Sequence, residues 1–133
     1  MKTILIADDE KEIRDLLVSA LDDPEWTFSQ VADGEKALET LMFQKADLLI
    51  TDLNMPKLTG VDLVRYLQSI AQPVPVIIFS GRLDKSVIKQ LQVFGVIDFI
   101  EKPADFNKIK DLLRRRLSGI AKAVSSAPEL KIA

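Results

Sequence analysis

Asp52 closes an apolar run. Leu48-Leu49-Ile50-Thr51 leads into it, and Leu53-Asn54-Met55-Pro56 then turns the chain toward Gly60. A second apolar run, Thr3-Ile4-Leu5-Ile6-Ala7, also ends on acid, in Asp8, Asp9 and Glu10. Two buried strands that each stop at aspartate would bring three carboxylates to one edge of a sheet. Like charges in one cleft repel, so the cluster requires a cation. Ser80, after Val76-Ile77-Ile78-Phe79, and Lys102, after Phe99-Ile100-Glu101, end two further runs and could complete the site.

Carboxylates, a backbone carbonyl and waters suit Mg²⁺, which takes six oxygens at about 2.0–2.1 Å and keeps several waters. A lysine opposite the acids would hold an incoming anion as a point charge. A serine hydroxyl can donate to an anionic oxygen. A carboxylate can also act as a nucleophile and form an acyl phosphate. These groups together describe a phosphoryl site. The metal would neutralise charge on the transferring group while Lys102 and Ser80 hold its other oxygens.

Composition narrows the field. The chain has 133 residues, 47% of them hydrophobic, which suits one domain with a real core. A net charge of -2 gives no general attraction to nucleic acid or anionic membrane. Cysteine and histidine are both absent, which excludes disulfides, thiolate metal sites and imidazole chemistry. Oxygen is the remaining metal donor, and it favours Mg²⁺, Mn²⁺ or Ca²⁺. No apolar run approaches the ~20 residues of a membrane span. Asp8, Asp9 and Glu10 interrupt the first run too early for a signal peptide, so a cytoplasmic protein is expected.

The elements that must position these groups alternate. Runs near 3–7, 27–31, 47–51, 75–79 and 96–100 read as strands. Leu48-Leu49-Ile50 and Val76-Ile77-Ile78-Phe79 lack polar alternation, as strands covered on both faces do. Between the runs lie helical stripes. Ile13, Leu16, Leu17, Ala20 and Leu21 form the first, and Ala37, Leu38 and Leu41 the second, with Asp33 as its cap. Leu63, Leu67 and Ile70 form the third, with Thr59 and Asp62 as a capping box. Val87, Ile88, Leu91 and Phe94 form the fourth, stopped at Gly95, and Phe106, Ile109, Leu113 and Leu117 the fifth. This βαβαβαβαβα order predicts an α/β fold, a doubly wound five-stranded parallel sheet with helices on both faces. Ligands bind such sheets beyond the carboxyl ends of the strands, where Asp8, Asp9, Asp52, Ser80 and Lys102 stand. Residues 119–133 read as a tail or linker, with Ser125-Ser126-Ala127-Pro128 as a loop.

The chain resembles the receiver domains of two-component response regulators, those of chemotaxis among them. The resemblance rests on Asp8-Asp9, on Asp52 with Met55-Pro56 and Gly60, on Ser80, and on Lys102-Pro103, in order over about residues 2–118. It implies a flavodoxin-like (βα)5 fold with strand order 2-1-3-4-5 and a receiver domain over 1–118. It implies that Asp52 accepts a phosphoryl group from a phosphohistidine on a sensor histidine kinase or histidine phosphotransfer protein. Asp9 and Asp52 would bind Mg²⁺ directly, Asp8 largely through water, and the main-chain carbonyl of Asn54 would add a ligand. Lys102 would pair with the phosphoryl group, Ser80 would move toward it, and Phe99 would rotate inward behind Ser80. The surface of the fourth helix, fifth strand and fifth helix would then rearrange and control an output domain or target protein. The domain would be a signalling phosphoacceptor and not an enzyme, without direct nucleic-acid or membrane binding of its own.

The departures from the family pattern are local. Gly81 follows Ser80 where alanine is common, Phe99 replaces the more usual tyrosine, and Ala104 stands where many DNA-binding members have phenylalanine. Asn54 and Arg82 hold positions at which the family tunes phosphoryl lifetime. The polar face of the fifth helix, Arg114-Arg115-Arg116, reads as solvated, and Trp26 as a partly buried aromatic opening the second strand. A Mg²⁺ phosphatase with an aspartyl nucleophile is a competing class; it needs a second acid where Asn54 stands. A nucleotide- or flavin-binding module is opposed by acids in place of a glycine-rich loop after the first strand. A phosphate-independent interaction module is a further alternative. The pattern fits both a stand-alone receiver and the N-terminal part of a longer regulator, and the tail favours the second. Whether the active state is a homodimer is left open.

Overall fold

The computed structural model describes residues 1–70 and 74–118. The tail or linker expected over 119–133 lies outside the described residues. The elements run β1 (Lys2–Ala7), α1 (Lys11–Ala20), β2 (Trp26–Val31), α2 (Gly34–Phe43), β3 (Leu48–Thr51), α3 (Gly60–Ser69), β4 (Val76–Ser80), α4 (Lys85–Val93), β5 (Asp98–Glu101) and α5 (Phe106–Leu117). Every strand pair is parallel, and the sheet order is β2-β1-β3-β4-β5. The expected doubly wound fold and strand order are both present.

The apolar strands are explained by cover on both faces. On one face Ile4, Ile6, Leu48, Ile50, Ile77 and Phe79 pack against Leu17 of α1 and Ile109, Leu113 and Leu117 of α5. On the other, Leu5, Ala7 and Leu49 meet Ala37 and Leu41 of α2 and Leu63 and Leu67 of α3. Ile78 continues that second face under Val64 and under Leu91 of α4. Each fully buried aliphatic side chain contributes about 1.5–3 kcal/mol. Two expected stripe positions fall outside the core: Leu16 is 48% and Ile70 45% exposed. The buried stripes are narrower because each helix covers only one or two strands.

The helix starts follow their caps. Asp33 accepts from the Lys36 amide at 2.7 Å, Thr59 from Asp62 at 3.1 Å, and Asp84 from Val87 at 3.0 Å. The fifth strand begins two residues later than its apolar run. The reason is the stop of α4: Gly95, at φ 94°, donates its amide to the Gln92 carbonyl, and Val96 donates to Leu91. This 6→1 and 5→2 pair is a Schellman motif, and Val96 packs on Leu91 as that motif requires. Val96 therefore belongs to the helix stop, and the ladder opens at Asp98.

The β3–α3 loop is pressed between two helix starts. A Cβ at Gly34 would lie 2.0 Å from the Leu58 carbonyl oxygen, and one at Gly60 would lie 2.4 Å from that of Asp52. Lys57, between them, is held at φ 70°, a left-handed conformation that a lysine adopts at a cost. Two outcomes follow for urea unfolding. Gly34→Ala lowers stability by about 1–3 kcal/mol, because backbone and not a flexible side chain must yield. Lys57→Gly raises it by about 1 kcal/mol by removing the backbone strain.

Candidate functional site

The carboxyl edge of the sheet gathers the acids. Asp8 directly follows β1, Asp52 follows β3, and β1 and β3 are neighbours in register Ala7↔Thr51. Asp8 and Asp52 are buried, whereas Asp9 is exposed. One oxygen from each of the three can be chosen so that all lie within 4.8 Å of one another. An octahedral shell with bonds near 2.0–2.1 Å spans about 4 Å, so a small closure around an ion would bring all three oxygens within reach. The donor set is all oxygen, which is what Mg²⁺ takes, and its exposed edge at Asp9 leaves room for waters.

Lys102 enters from the end of β5. Its ammonium donates to Asp8 Oδ2 at 2.8 Å and to Asp52 Oδ2 at 2.9 Å, and it lies 3.9 Å from Glu10 Oε1. It also sits 5.4 Å from the centre of the Phe79 ring, within cation–π range. Phe106 meets that ring edge-on, with centroids 6.5 Å apart. Burial is the largest single influence on the lysine and opposes its charge. Hydrogen bonds and charge attraction from Asp8 and Asp52 together outweigh it and hold the Lys102 pKa above the ordinary lysine value.

Each carboxylate is further fixed by backbone. Asp52 Oδ1 accepts from the Leu53 amide at 2.6 Å, with the Asn54 amide at 3.4 Å. Asp8 Oδ1 accepts from the Glu10 amide at 2.9 Å. Glu10 is the N-cap of α1 and has no side-chain cap bond, so Asp8 shapes the entry to that helix as well as the cleft. Ser80 is the last residue of β4, and its carbonyl accepts from the Lys102 amide at 2.8 Å. Its hydroxyl is buried with no partner among the described residues. An orphan of this kind costs about 1–3 kcal/mol and fits a group that meets an incoming oxygen. Phe99 is half-buried against the α4 cluster, on the sheet face opposite Lys102.

The structure thus brings Asp8, Asp9, Asp52 and Lys102 together directly. It places Asn54, exposed, on the turn beside them, and sets Ser80 and Phe99 on β4 and β5. Sequence reasoning misses two supports of the site, Arg14 and Thr51, and one ion pair at the far end of β5. Arg14 of α1 donates to the Asp8 carbonyl at 2.7 Å and to Gln30 at 3.1 Å, so it clamps the strand end that carries Asp8. Its place one turn into α1 was the available signal. Thr51 ends an apolar run in the sequence, yet its hydroxyl donates to the Asp52 carbonyl at 2.8 Å. Arg116, grouped with a solvated arginine face, makes a two-bond fork to Asp98 at 2.7 and 2.8 Å. No local sequence pattern links those two residues, because β5 and α5 meet only in the fold. Gly81, by contrast, has open space where a Cβ would stand, so its departure from alanine is not sterically required.

Comparison with known proteins agrees with this geometry. Residues 4–114 match the response regulator receiver domain family. Response regulator GtcR of Aneurinibacillus migulanus is 40% identical over 114 residues, covering 85% of this chain and 46% of that protein. Sporulation initiation phosphotransferase F of Bacillus subtilis (strain 168) is 27% identical over 114 residues, covering 86% of this chain and 92% of that one. Two other curated relatives are also longer than the matched stretch, and the chain spans 25% of one and 55% of the other. Among solved structures, a response regulator receiver protein from Pseudomonas putida superposes with a TM-score of 0.78 at 30% identity, over 86% of this chain and 96% of that one. With the motifs in order on the predicted strand ends and the family matched over most of its length, this chain belongs to the response regulator receiver domains of two-component signalling.

Proposed function

We propose that the domain is a Mg²⁺-dependent phosphoacceptor that takes a phosphoryl group onto Asp52 from a phosphohistidine of a sensor histidine kinase or histidine phosphotransfer protein. The observation that carries this reading is the Lys102 ammonium bridging two buried carboxylates from two other strand ends. Such a lysine is a cation already placed where anionic charge is to arrive. An Asp52 carboxylate oxygen attacks phosphorus, the P–N bond breaks, and the imidazole nitrogen keeps the electron pair and takes a proton. The product is an acyl phosphate on Asp52. Mg²⁺ held by Asp8, Asp9, Asp52 and the Asn54 carbonyl would neutralise charge on the phosphoryl oxygens. Lys102 passes from Asp52 to a phosphoryl oxygen, and the Ser80 hydroxyl gains the partner it lacks.

The added charge and acceptor oxygens bias a two-state surface formed by α4, β5 and α5, with Ser80 and Phe99 as the moving parts. That surface addresses an output domain or a separate target protein; a phosphorylation-dependent homodimer would use the same switch. The domain promotes its own phosphorylation and dephosphorylation but turns over no separate substrate. Its setting is the cytoplasm, where such kinases present their phosphohistidine. No helix among the described residues is long and apolar enough to cross a membrane.

Intact-protein mass after incubation with acetyl phosphate and Mg²⁺ tests the acceptor. One labile phosphoryl addition is expected, absent with a chelator and absent in Asp52→Asn. Addition that survives Asp52→Asn would assign the acceptor elsewhere. Thermal and chemical unfolding test the lysine. In chelator, Lys102→Met costs about 3 kcal/mol, the low end for a buried pair that loses one partner, because the cleft opens to water at Asp9. Mg²⁺ then raises the Tm of the variant more than that of the wild type, since the ion replaces the missing charge. The pH dependence has a definite sign. A raised lysine pKa stabilises the fold fully below the unfolded value of about 10.4 and ceases to do so as the pH climbs through the folded value. On the alkaline side the gap between wild type and Lys102→Met therefore narrows only in strong alkali.

A further inference from the structure

Thr51 is fully buried and belongs to the sheet face that packs on α2 and α3, beside Ala7 in register, while Asp52 turns to the cleft. A hydroxyl in that apolar layer is costly unless it is bonded. Thr51 Oγ1 donates to the Asp52 carbonyl at 2.8 Å and approaches Met55 Sδ at 3.9 Å. The carbonyl it holds is half of one peptide plane. The other half is the Leu53 N–H, which donates to Asp52 Oδ1 at 2.6 Å. A peptide unit is planar, so fixing its oxygen fixes the direction of its hydrogen. Gly60 presses on the same carbonyl and leaves no space for a side chain there.

From this chain of contacts we infer that Thr51 is a positioning residue for the acceptor aspartate. Its hydroxyl orients the Asp52–Leu53 peptide, the peptide N–H engages Oδ1, and Oδ2 is thereby presented to Lys102 and the cleft. The inference rests on the reading of Asp52 as the phosphoryl acceptor, but the contacts themselves need neither metal nor phosphate. Without the hydroxyl the buried Asp52 carbonyl loses its donor and the peptide rotates toward another. The Leu53 bond to Oδ1 lengthens, and the carboxylate samples rotamers that do not face the cleft.

Thr51→Val removes the hydroxyl at nearly constant shape; Thr51→Ser keeps the hydroxyl and removes the methyl. The first readout is the Leu53 amide proton resonance in the full-length, metal-free protein, since a short bond to a carboxylate moves it far downfield. It is expected to return upfield in Thr51→Val and to stay with the wild type in Thr51→Ser. The second is the initial rate of phosphorylation by acetyl phosphate with Mg²⁺. It should fall about tenfold in Thr51→Val, as misplacing a reacting group does, and recover to within about twofold in Thr51→Ser. A Thr51→Val protein with unchanged resonance and rate overturns the inference. So does Thr51→Ser falling as far as Thr51→Val, which would assign the effect to the methyl packing. If the wild type accepts no phosphoryl group, the acceptor reading fails, and the Leu53 resonance alone then decides whether Thr51 sets the Asp52 rotamer.

Discussion

Two carboxylates from adjacent strands and one lysine from a third strand end share a single cleft. Asp8 and Asp52 are both buried, and each would repel the other and the nearby Asp9 if left alone. Lys102 answers both from 94 and 50 residues away in sequence. The site therefore exists only when β1, β3 and β5 lie at their proper places in the sheet. Its charges also make it poised: the ammonium is hydrogen-bonded to both acids, while Asp9 stays exposed at the rim. An all-apolar replacement would pack well and do nothing, and a fully neutralised one would attract nothing.

The rest of the fold serves that demand for precise strand ends. The inner strands β1, β3 and β4 are held by a neighbour on each side, while β5, at the sheet edge, is held by β4 alone. Asp52 donates its amide to the Ala7 carbonyl, and the Lys102 amide donates to Ser80, so each strand end is tied to the next. The helices add second-tier supports that reach the same edge. Arg14 grips the Asp8 carbonyl from α1, and the first turn of α2 presses on the loop that follows Asp52. Phe79 and Phe106 floor the lysine with aromatic rings.

Much of this was legible in the sequence for physical reasons. Runs such as Leu48-Leu49-Ile50 suit strands buried on both faces, and five of them separated by amphipathic helices leave few topologies. The acids stood out because charge at the end of an apolar run is expensive without a purpose. The strand order was reached through family resemblance and not from periodicity. Thr51 and Arg116 were hidden for a different reason. A threonine in an apolar run scores as a strand former, and an arginine among arginines scores as solvent-facing; only three-dimensional neighbours reveal Asp52's carbonyl and Asp98 as their partners. The start of β5 was misplaced because apolar character marks burial alike in a helix stop and in a strand, and Val96 is buried in the stop.

That stop at Gly95 and Val96 has a bearing on how the chain can change over time. It fixes where the β5 ladder opens, and a strand alternates its side chains between faces. Ile100 and Lys102 consequently share the cleft side, while Phe99 faces α4. A one-residue insertion or deletion inside β5, between Asp98 and Lys102, would exchange these sides, sending the lysine toward α4 and the ring toward the acids. The strand can absorb substitutions, but its length between Asp98 and Lys102 behaves as a parity bit, while the turn before it is free to vary.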